Sequence, residues 1–329
     1  MSTYRRIVID TLGDLSTFRS DHKEFPVLGE NQVLVKMEYS TLNPSDYYSA
    51  MGSYIGSSSP TVLGIEGSGI VAQAGTGEYA QSLLNKRVAV KGPGTWSEYL
   101  LASADDVFPL LDSTSLEQAA NLIVNPMTVA LFMDLIKTGN HKVVVQNATA
   151  SALGKMLVKW GIIEGIHIVN LVRRDEQATI LSEIGTNLII NTSEENWKTK
   201  ALELVKSLGG ATIGFDAIAG NGTNDLFALL ENGSTVYNYG GLSGEDCKTA
   251  SIHLMLGKSL RGLWLTPWID RKTRQQRIEV GNLVQSLLTP VFNIEHSKTI
   301  HLSDLKNALL NFKNESATNN KILVRTAFE

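Results

Sequence analysis

The chain has 329 residues, 43% of them hydrophobic and 19% charged, with a formal net charge of −4 and a pI of about 5.9. That length carries two domains with cores of their own, and the mild, unclustered negative charge excludes an electrostatic case for nucleic acid or an anionic membrane as partner. The one cysteine, Cys247, and six scattered histidines exclude an intrachain disulfide framework and leave no ligand set for a metal; Cys247 reads as a small residue near a loop.

The N-terminus, Met1-Ser-Thr-Tyr-Arg-Arg-Ile-Val-Ile9, lacks the apolar h-region of a signal peptide and the long Arg/Ser-rich leader of a transit peptide. No apolar run reaches the ~20 residues that span a bilayer. A cytoplasmic location is expected. Residues 1–123 are predicted to be mostly β: Arg5–Ile9, Gln32–Tyr39, Gly67–Gln73 and Arg87–Val90 are rich in Val and Ile and are separated by turn residues such as Gly29-Glu30-Asn31 and Gly92-Pro93-Gly94.

Residues 124–266 change character. Apolar strands at Lys142–Gln146, His167–Val172, Leu188–Ile190, Ile213–Ala217 and Thr235–Tyr239 alternate with helical patterns from Ser151, around Glu176–Ile184, Asn196–Leu208 and Thr223–Leu230. This alternation predicts parallel βαβ units and a doubly wound, Rossmann-type α/β sheet. Residues 267–329 contain a helical segment at Arg274–Leu288, a strand, a helix near Leu302–Asn311 and a final strand at Ile322–Ala327; this tail is expected to rejoin the first domain.

The strongest local signal is Val143-Val-Val-Gln146-Asn-Ala-Thr149-Ala-Ser151-Ala-Leu-Gly154. An apolar strand runs through small residues into a helix that Ser151 can cap. Small residues let backbone approach a pyrophosphate, and a helix N-terminus offers free N–H groups and a positive dipole end. The strict G-x-G-x-x-G pattern is absent, so a ligand-free β–α turn remains an open reading of this stretch alone. The next strand ends Asn170-Leu-Val-Arg173-Arg174-Asp175, about twenty residues beyond Gly154, where NAD sites place an acid. Two arginines there suit the 2′-phosphate of NADPH, with a solvated pair at a helix start as the plainer alternative. Asp175 is expected to cap the following helix.

Four stretches carry a pattern: Leu42-Asn-Pro-Ser-Asp46 with Gly52-Ser-Tyr54; Val124-Asn-Pro-Met-Thr128; Val145-Gln-Asn-Ala148 with Ser151; and Tyr239-Gly-Gly-Leu-Ser-Gly244 with Leu260-Arg-Gly-Leu-Trp264-Leu265. Through these, over nearly its whole length, the chain resembles the medium-chain dehydrogenase/reductase superfamily, and within it the mitochondrial-type trans-2-enoyl-thioester reductases. The resemblance implies a GroES-like substrate domain (1–123 and 267–329) and a Rossmann NADP-binding domain (124–266). Zinc-containing members place a cysteine before the first-domain helix and a histidine before the glutamate of Gly-His-Glu. Here those regions read Leu42-Asn43-Pro44 and Gly64-Ile65-Glu66, so the chain is expected to be zinc-free.

By the same resemblance Tyr54 matches the catalytic tyrosine. A phenol of ordinary pKa near 10 stays protonated at neutral pH and can donate a hydrogen bond or proton to a developing enolate. Cofactor contacts carry over to Asn43; to Asn125 and Thr128 beside the nicotinamide end; to Ala150, Ser151, Ala152 and Leu153 at the pyrophosphate turn; to Arg173 and Arg174; to Tyr239, Gly240, Gly241 and Leu242, and Leu263, Trp264 and Leu265, flanking the nicotinamide; and to Lys321 near the phosphates. The chain departs from the family at three places. Ala150-Ser-Ala152-Leu-Gly154 stands for Asn-Ser-Gly-Val-Gly, Leu263 replaces an aromatic, and Tyr47 and Tyr48 are bulky where relatives have an aliphatic and an amide. These and Trp96 either line the substrate side or belong to the core.

The resemblance implies NADPH-dependent reduction of a 2-enoyl thioester on CoA or acyl carrier protein, as part of fatty acid metabolism. A quinone or 2-alkenal reductase, and a non-catalytic NADPH-binding protein, are the competing readings. A homodimer is implied, paired through the last strand of the cofactor sheet, either Thr235–Tyr239 or the strand near Leu260–Leu265.

Overall fold

The computed structural model describes residues 2–294, 296–312 and 321–327. In chain order come β1 (Thr3–Ile9), β2 (Phe18–Glu24), β3 (Gln32–Leu42), α1 (Pro44–Ala50), β4 (Thr61–Val62), β5 (Glu66–Ala74), α2 (Glu78–Ser82), β6 (Arg87–Lys91), β7 (Tyr99–Ser103), β8 (Val107–Pro109) and α3 (Leu116–Ala119). Next are α4 (Val124–Thr138), β9 (Val143–Gln146), α5 (Ala152–Ile163), β10 (His167–Val172), α6 (Asp175–Ile184), β11 (Ile189–Asn191), α7 (Trp197–Ser207), β12 (Ile213–Asp216), α8 (Asn221–Leu229), β13 (Thr235–Asn238), α9 (Ser251–Met255) and β14 (Ser259–Gly262). The chain ends with α10 (Leu265–Asp270), α11 (Arg274–Ser286), β15 (His296–His301), α12 (Leu305–Leu310) and β16 (Lys321–Arg325). Residues up to Met127, with those from Lys272 on, make one unit; Thr128–Arg271 make the other.

The first unit is β-rich. A three-stranded sheet has the order β2-β1-β4, and a larger one runs β15-β16-β3-β5-β6-β8, with β7 also on β3. The C-terminal tail rejoins this unit as the sequence predicts: β16 lies antiparallel to β3, with Ile322 opposite Leu42. Ile7, Ile9, Leu42, Trp96, Leu302 and Val324 share one core, each such apolar side chain contributing roughly 1.5–3 kcal/mol by leaving water. Trp96 is fully buried there and its indole N–H donates to the Thr41 carbonyl at 3.1 Å, so it is a core residue. Tyr47 stacks on Phe312 at 4.8 Å between centroids and touches Tyr48 edge-on.

The second unit is a six-stranded parallel sheet of order β11-β10-β9-β12-β13-β14. Counted from β9, that is 3-2-1-4-5-6, the doubly wound arrangement, with the order reversing between β9 and β12. β9 and β12 are buried along their whole length, which is why Val143-Val-Val reads as a continuous apolar run. The βα alternation read from the sequence is present strand by strand. The strand expected near Leu260–Leu265 is present as β14, with four residues, mostly exposed. β13 is flanked on both sides, so the edge strand is β14 and not Thr235–Tyr239.

Candidate active site

Because every strand of the second unit runs the same way, the segments that leave the strand ends collect along one edge of the sheet. Ala150–Leu153 follow β9, Arg173 and Arg174 follow β10, Tyr239–Leu242 follow β13, and Leu263–Leu265 follow β14. In open α/β sheets this carboxyl edge, at the reversal of strand order, is where ligands bind.

The turn after β9 fits a pyrophosphate. Ser151 caps α5 by accepting from the Gly154 N–H at 3.1 Å. The N–H groups of Ala152 and Leu153, in the helix's first turn, have no intrahelical acceptor. Gly154 is required by packing: a Cβ there would stand 2.4 Å from the Thr149 carbonyl oxygen. Ala152, the first residue of α5, is only partly buried. Ala148 has φ 50°, in the left-handed region that L-residues rarely adopt.

Asp216, at the end of β12, organises this edge, and nothing in the sequence marked it. Its fully buried carboxylate accepts from Asn147 Nδ2 at 2.7 Å, Thr223 Oγ1 at 2.6 Å, the Ile218 and Ala219 N–H groups at 2.9 and 3.0 Å, and Asn238 Nδ2 at 3.3 Å. Asn147 Oδ1 accepts the Ala217 N–H in return. One carboxylate thus joins the turn after β9, the turn after β12 and the end of β13, and it holds Ala219 at φ 61°, a backbone state that persists only when its surroundings fix it. The loop after β13 is laid on the same segment: the Tyr239 and Leu242 N–H groups donate to Asp216 and Ala217 carbonyls. The Tyr239 ring meets Phe132 edge-on at 4.9 Å. Its buried hydroxyl finds no partner among the described residues, and burial, with the Asp216 charge, pushes the phenol above its ordinary range.

Arg173 and Arg174 are exposed, and among the described residues neither guanidinium is held by an ion pair or hydrogen bond. Asp175 does not cap α6. It is the helix's first residue, and its carboxylate accepts from Asn191 Nδ2 at 2.7 Å, because the end of β11 lies beside the end of β10.

In the first unit, Asn43 and Lys321 have partners that sequence reading does not supply. The buried Lys321 ammonium donates to Asn43 Oδ1, Asn43 Nδ2 donates to Glu66 Oε1 at 2.9 Å, and Glu66 Oε2 accepts the Ile123 and Val124 N–H groups at 3.0 and 2.8 Å. Glu66 therefore caps the start of α4, where a carboxylate also meets the positive end of the helix dipole. Lys321, expected near cofactor phosphates, is tied into this network through Asn43, and the buried Glu66 and Asp46 carboxyls favour its charged form. Burial pulls the Lys321 ammonium below its ordinary range and raises the Glu66 carboxyl. Asp46 closes a capping box on α1, accepting the Asn43 N–H at 2.8 Å; its other oxygen is buried without a partner among the described residues, and burial pushes its carboxyl up to about 7.

Tyr54 lies half-buried in the loop between α1 and β4, and its carbonyl accepts the Ser57 N–H. Asn125, the second residue of α4, and Thr128, one turn on, are partly exposed. Among the described residues no group of three or more His, Cys, Asp or Glu is arranged to hold a metal, and no helix is long and apolar enough to cross a membrane. A cavity of about 240 Å³ opens among Ile162, Ile166, His167 and Leu188, at the amino ends of β10 and β11; this apolar hollow is on the opposite edge of the sheet from the nucleotide-type turns.

The chain thus carries a β-rich unit and a doubly wound parallel sheet, with small residues and an arginine pair at the sheet's carboxyl edge. Residues 29–112 match the alcohol dehydrogenase GroES-like domain family. The mitochondrial enoyl-[acyl-carrier-protein] reductase of Caenorhabditis elegans is 32% identical over 260 residues, 76% of this chain and 74% of that protein. A solved structure described as an NADPH:quinone reductase from Bacillus thuringiensis superposes with a TM-score of 0.89 and 26% identity over the whole of both chains. The mitochondrial 2-enoyl thioester reductase heterodimer of Candida tropicalis shares the fold, with a TM-score of 0.80 at 20% identity over 99% of this chain and 100% of that one. The chain belongs to the medium-chain dehydrogenase/reductase superfamily and is an oxidoreductase.

Proposed function

We propose that the chain uses NADPH to reduce the carbon–carbon double bond of a 2-enoyl thioester carried on CoA or acyl carrier protein. The observation that carries this reading is the 32% identity with the nematode enoyl-acyl-carrier-protein reductase over three quarters of the chain. The cofactor half draws support from the unpaired arginines after β10 and the small-residue turn into α5. When bound, the dihydronicotinamide supplies hydride to the β-carbon of the enoyl group.

This chain's residues do the rest. The α5 N-terminus, with Ala150–Leu153, holds the pyrophosphate, and Arg173 and Arg174 grip the 2′-phosphate through charge-assisted hydrogen bonds. Asn125, Thr128, Tyr239–Leu242 and Leu263–Leu265 surround the nicotinamide. Asn43 and Lys321 act at one remove, by fixing Glu66 and the start of α4. Negative charge that builds on the thioester carbonyl oxygen receives a hydrogen bond from the Tyr54 hydroxyl, which also supplies the proton for the α-carbon. The protein works as a homodimer joined along β14.

A second reading, an NADPH-dependent quinone or 2-alkenal reductase, is favoured by the 26% identity to structures described as NADPH:quinone reductases. The test is NADPH consumption with crotonyl-CoA, a long-chain 2-enoyl-CoA, 2-hexenal and a 1,4-quinone side by side, each repeated with NADH. Thioester turnover with NADPH preferred supports the first reading; turnover of only the quinone or aldehyde replaces it with the second. Under the first reading, Tyr54→Phe lowers kcat on crotonyl-CoA about a hundredfold, the size of one lost oxyanion donor, while NADPH affinity is retained. An unchanged kcat removes Tyr54 from the mechanism.

A further inference from the structure

We infer that Asn191 sets cofactor specificity by positioning a neighbour: it holds the Asp175 carboxylate so that Arg173 and Arg174 stay unpaired and open to the 2′-phosphate of NADPH. The inference rests on the reading that these arginines receive that phosphate.

Three consecutive exposed residues, Arg173-Arg174-Asp175, put two cations and an anion on the same turn. An acid so placed is the natural partner of either guanidinium, and pairing would blunt the positive charge that a phosphate needs. Released, the carboxylate would also repel a phosphate dianion directly. In the structure it pairs with neither guanidinium. Its Oδ1 accepts from Asn191 Nδ2 at 2.7 Å, and the arginines make no ion pair among the described residues. Glu176, the next acid, is likewise exposed and unpaired among the described residues.

The Asn191 amide is built to do this. Its Oδ1 accepts the Ser193 N–H at 3.0 Å and the Ser193 hydroxyl at 2.9 Å, which fixes the orientation of the amide and turns the Nδ2 end towards Asp175. Asn191 is itself 9% exposed and lies opposite Val172 in the pairing of β11 with β10. The Thr192 N–H and hydroxyl both donate to the Val172 carbonyl, at 2.7 and 3.0 Å. The end of β11 is thereby clamped to the strand that delivers the arginines. None of the bonds holding Asp175 aside depends on the cofactor.

The test measures NADPH and NADH dissociation constants by titration of the full chain and four variants. Asn191→Ala removes the donor; Asp175→Glu carries the carboxylate past Asn191. Each is expected to weaken NADPH about five- to tenfold, the scale of one charge-assisted contact, and to leave NADH within about twofold. Adding Asp175→Asn to Asn191→Ala is expected to restore NADPH affinity to near the wild-type value. An unchanged NADPH-to-NADH ratio in both single variants, an equal loss of both cofactors, or failure of the double variant to recover would overturn the inference. Asp175 is exposed, so Asp175→Glu keeps the question answerable if Asn191→Ala does not fold. The fourth variant, Arg173→Ala with Arg174→Ala, separates the levels: if it leaves the NADPH preference intact, the assignment of the arginines fails whatever Asn191 does.

Discussion

Asp46 is a residue whose chemistry is displaced by its surroundings. Burial raises its carboxyl from 3.8 to about 7, so the folded chain binds this proton more tightly than the unfolded chain does. The resulting stabilisation is complete below the unfolded value and is withdrawn as pH climbs through the folded one. Asp46→Asn keeps an oxygen for the Asn43 N–H and abolishes the titration. Urea unfolding from about pH 5 to about pH 8 is therefore expected to move steadily in favour of the variant relative to wild type. A constant offset across that window would show that Asp46 does not titrate in it.

At the scale of the element, the turn from β9 into α5 combines a glycine that cannot be changed with an alanine that can. Gly154→Ala drives a Cβ into the Thr149 backbone and is expected to destabilise the chain by about 1–3 kcal/mol, the usual range for overpacking, seen as a lower urea midpoint. With Ala150–Leu153 holding the pyrophosphate as proposed, Ala152→Gly removes a methyl from that turn and is expected to tighten NADPH by a few-fold; a titration showing weaker NADPH would place that methyl elsewhere. These elements were legible because their causes are local. A covered parallel strand shows as Val143-Val-Val, a cap as Ser151, a charge reversal as Arg173-Arg174. Asp216 and Glu66 were illegible because their work is done across the chain: Asn147 lies 69 residues from Asp216, and Lys321 lies 278 residues from the Asn43 to which it donates. Asp175 was misread for the same reason: a helix-start acid suggests a cap, and only the neighbouring strand end, with Asn191 16 residues on, diverts it. The strand expected near Leu260–Leu265 is present as β14 but ends at Gly262, because an exposed four-residue edge lacks the apolar run that marks the bounds of a covered strand.

For the whole molecule, the edge of the parallel sheet is the place where a second copy is expected. Leu260 on β14 is 38% exposed, and Ile252, Leu254 and Met255 on α9 are 53%, 54% and 80% exposed, an apolar margin beside unpaired strand backbone of the kind that invites pairing. Leu260→Lys is expected to convert a dimer to a monomer in light scattering with the circular dichroism spectrum retained; a wild-type chain that is already monomeric at micromolar concentration defeats the dimer. The Lys321–Asn43–Glu66 network bears on the history of the sequence rather than on its assembly. Losing one member leaves a buried polar group short of its hydrogen-bond partner, a defect of about 1–3 kcal/mol against a total stability of about 5–15 kcal/mol. Single-step replacement at these positions therefore removes a sizeable share of the stability, and lineages descending from this chain are expected to alter them together or keep them all. The tail that carries Lys321 is thereby bound, in inheritance as in space, to Asn43, 278 residues earlier in the chain.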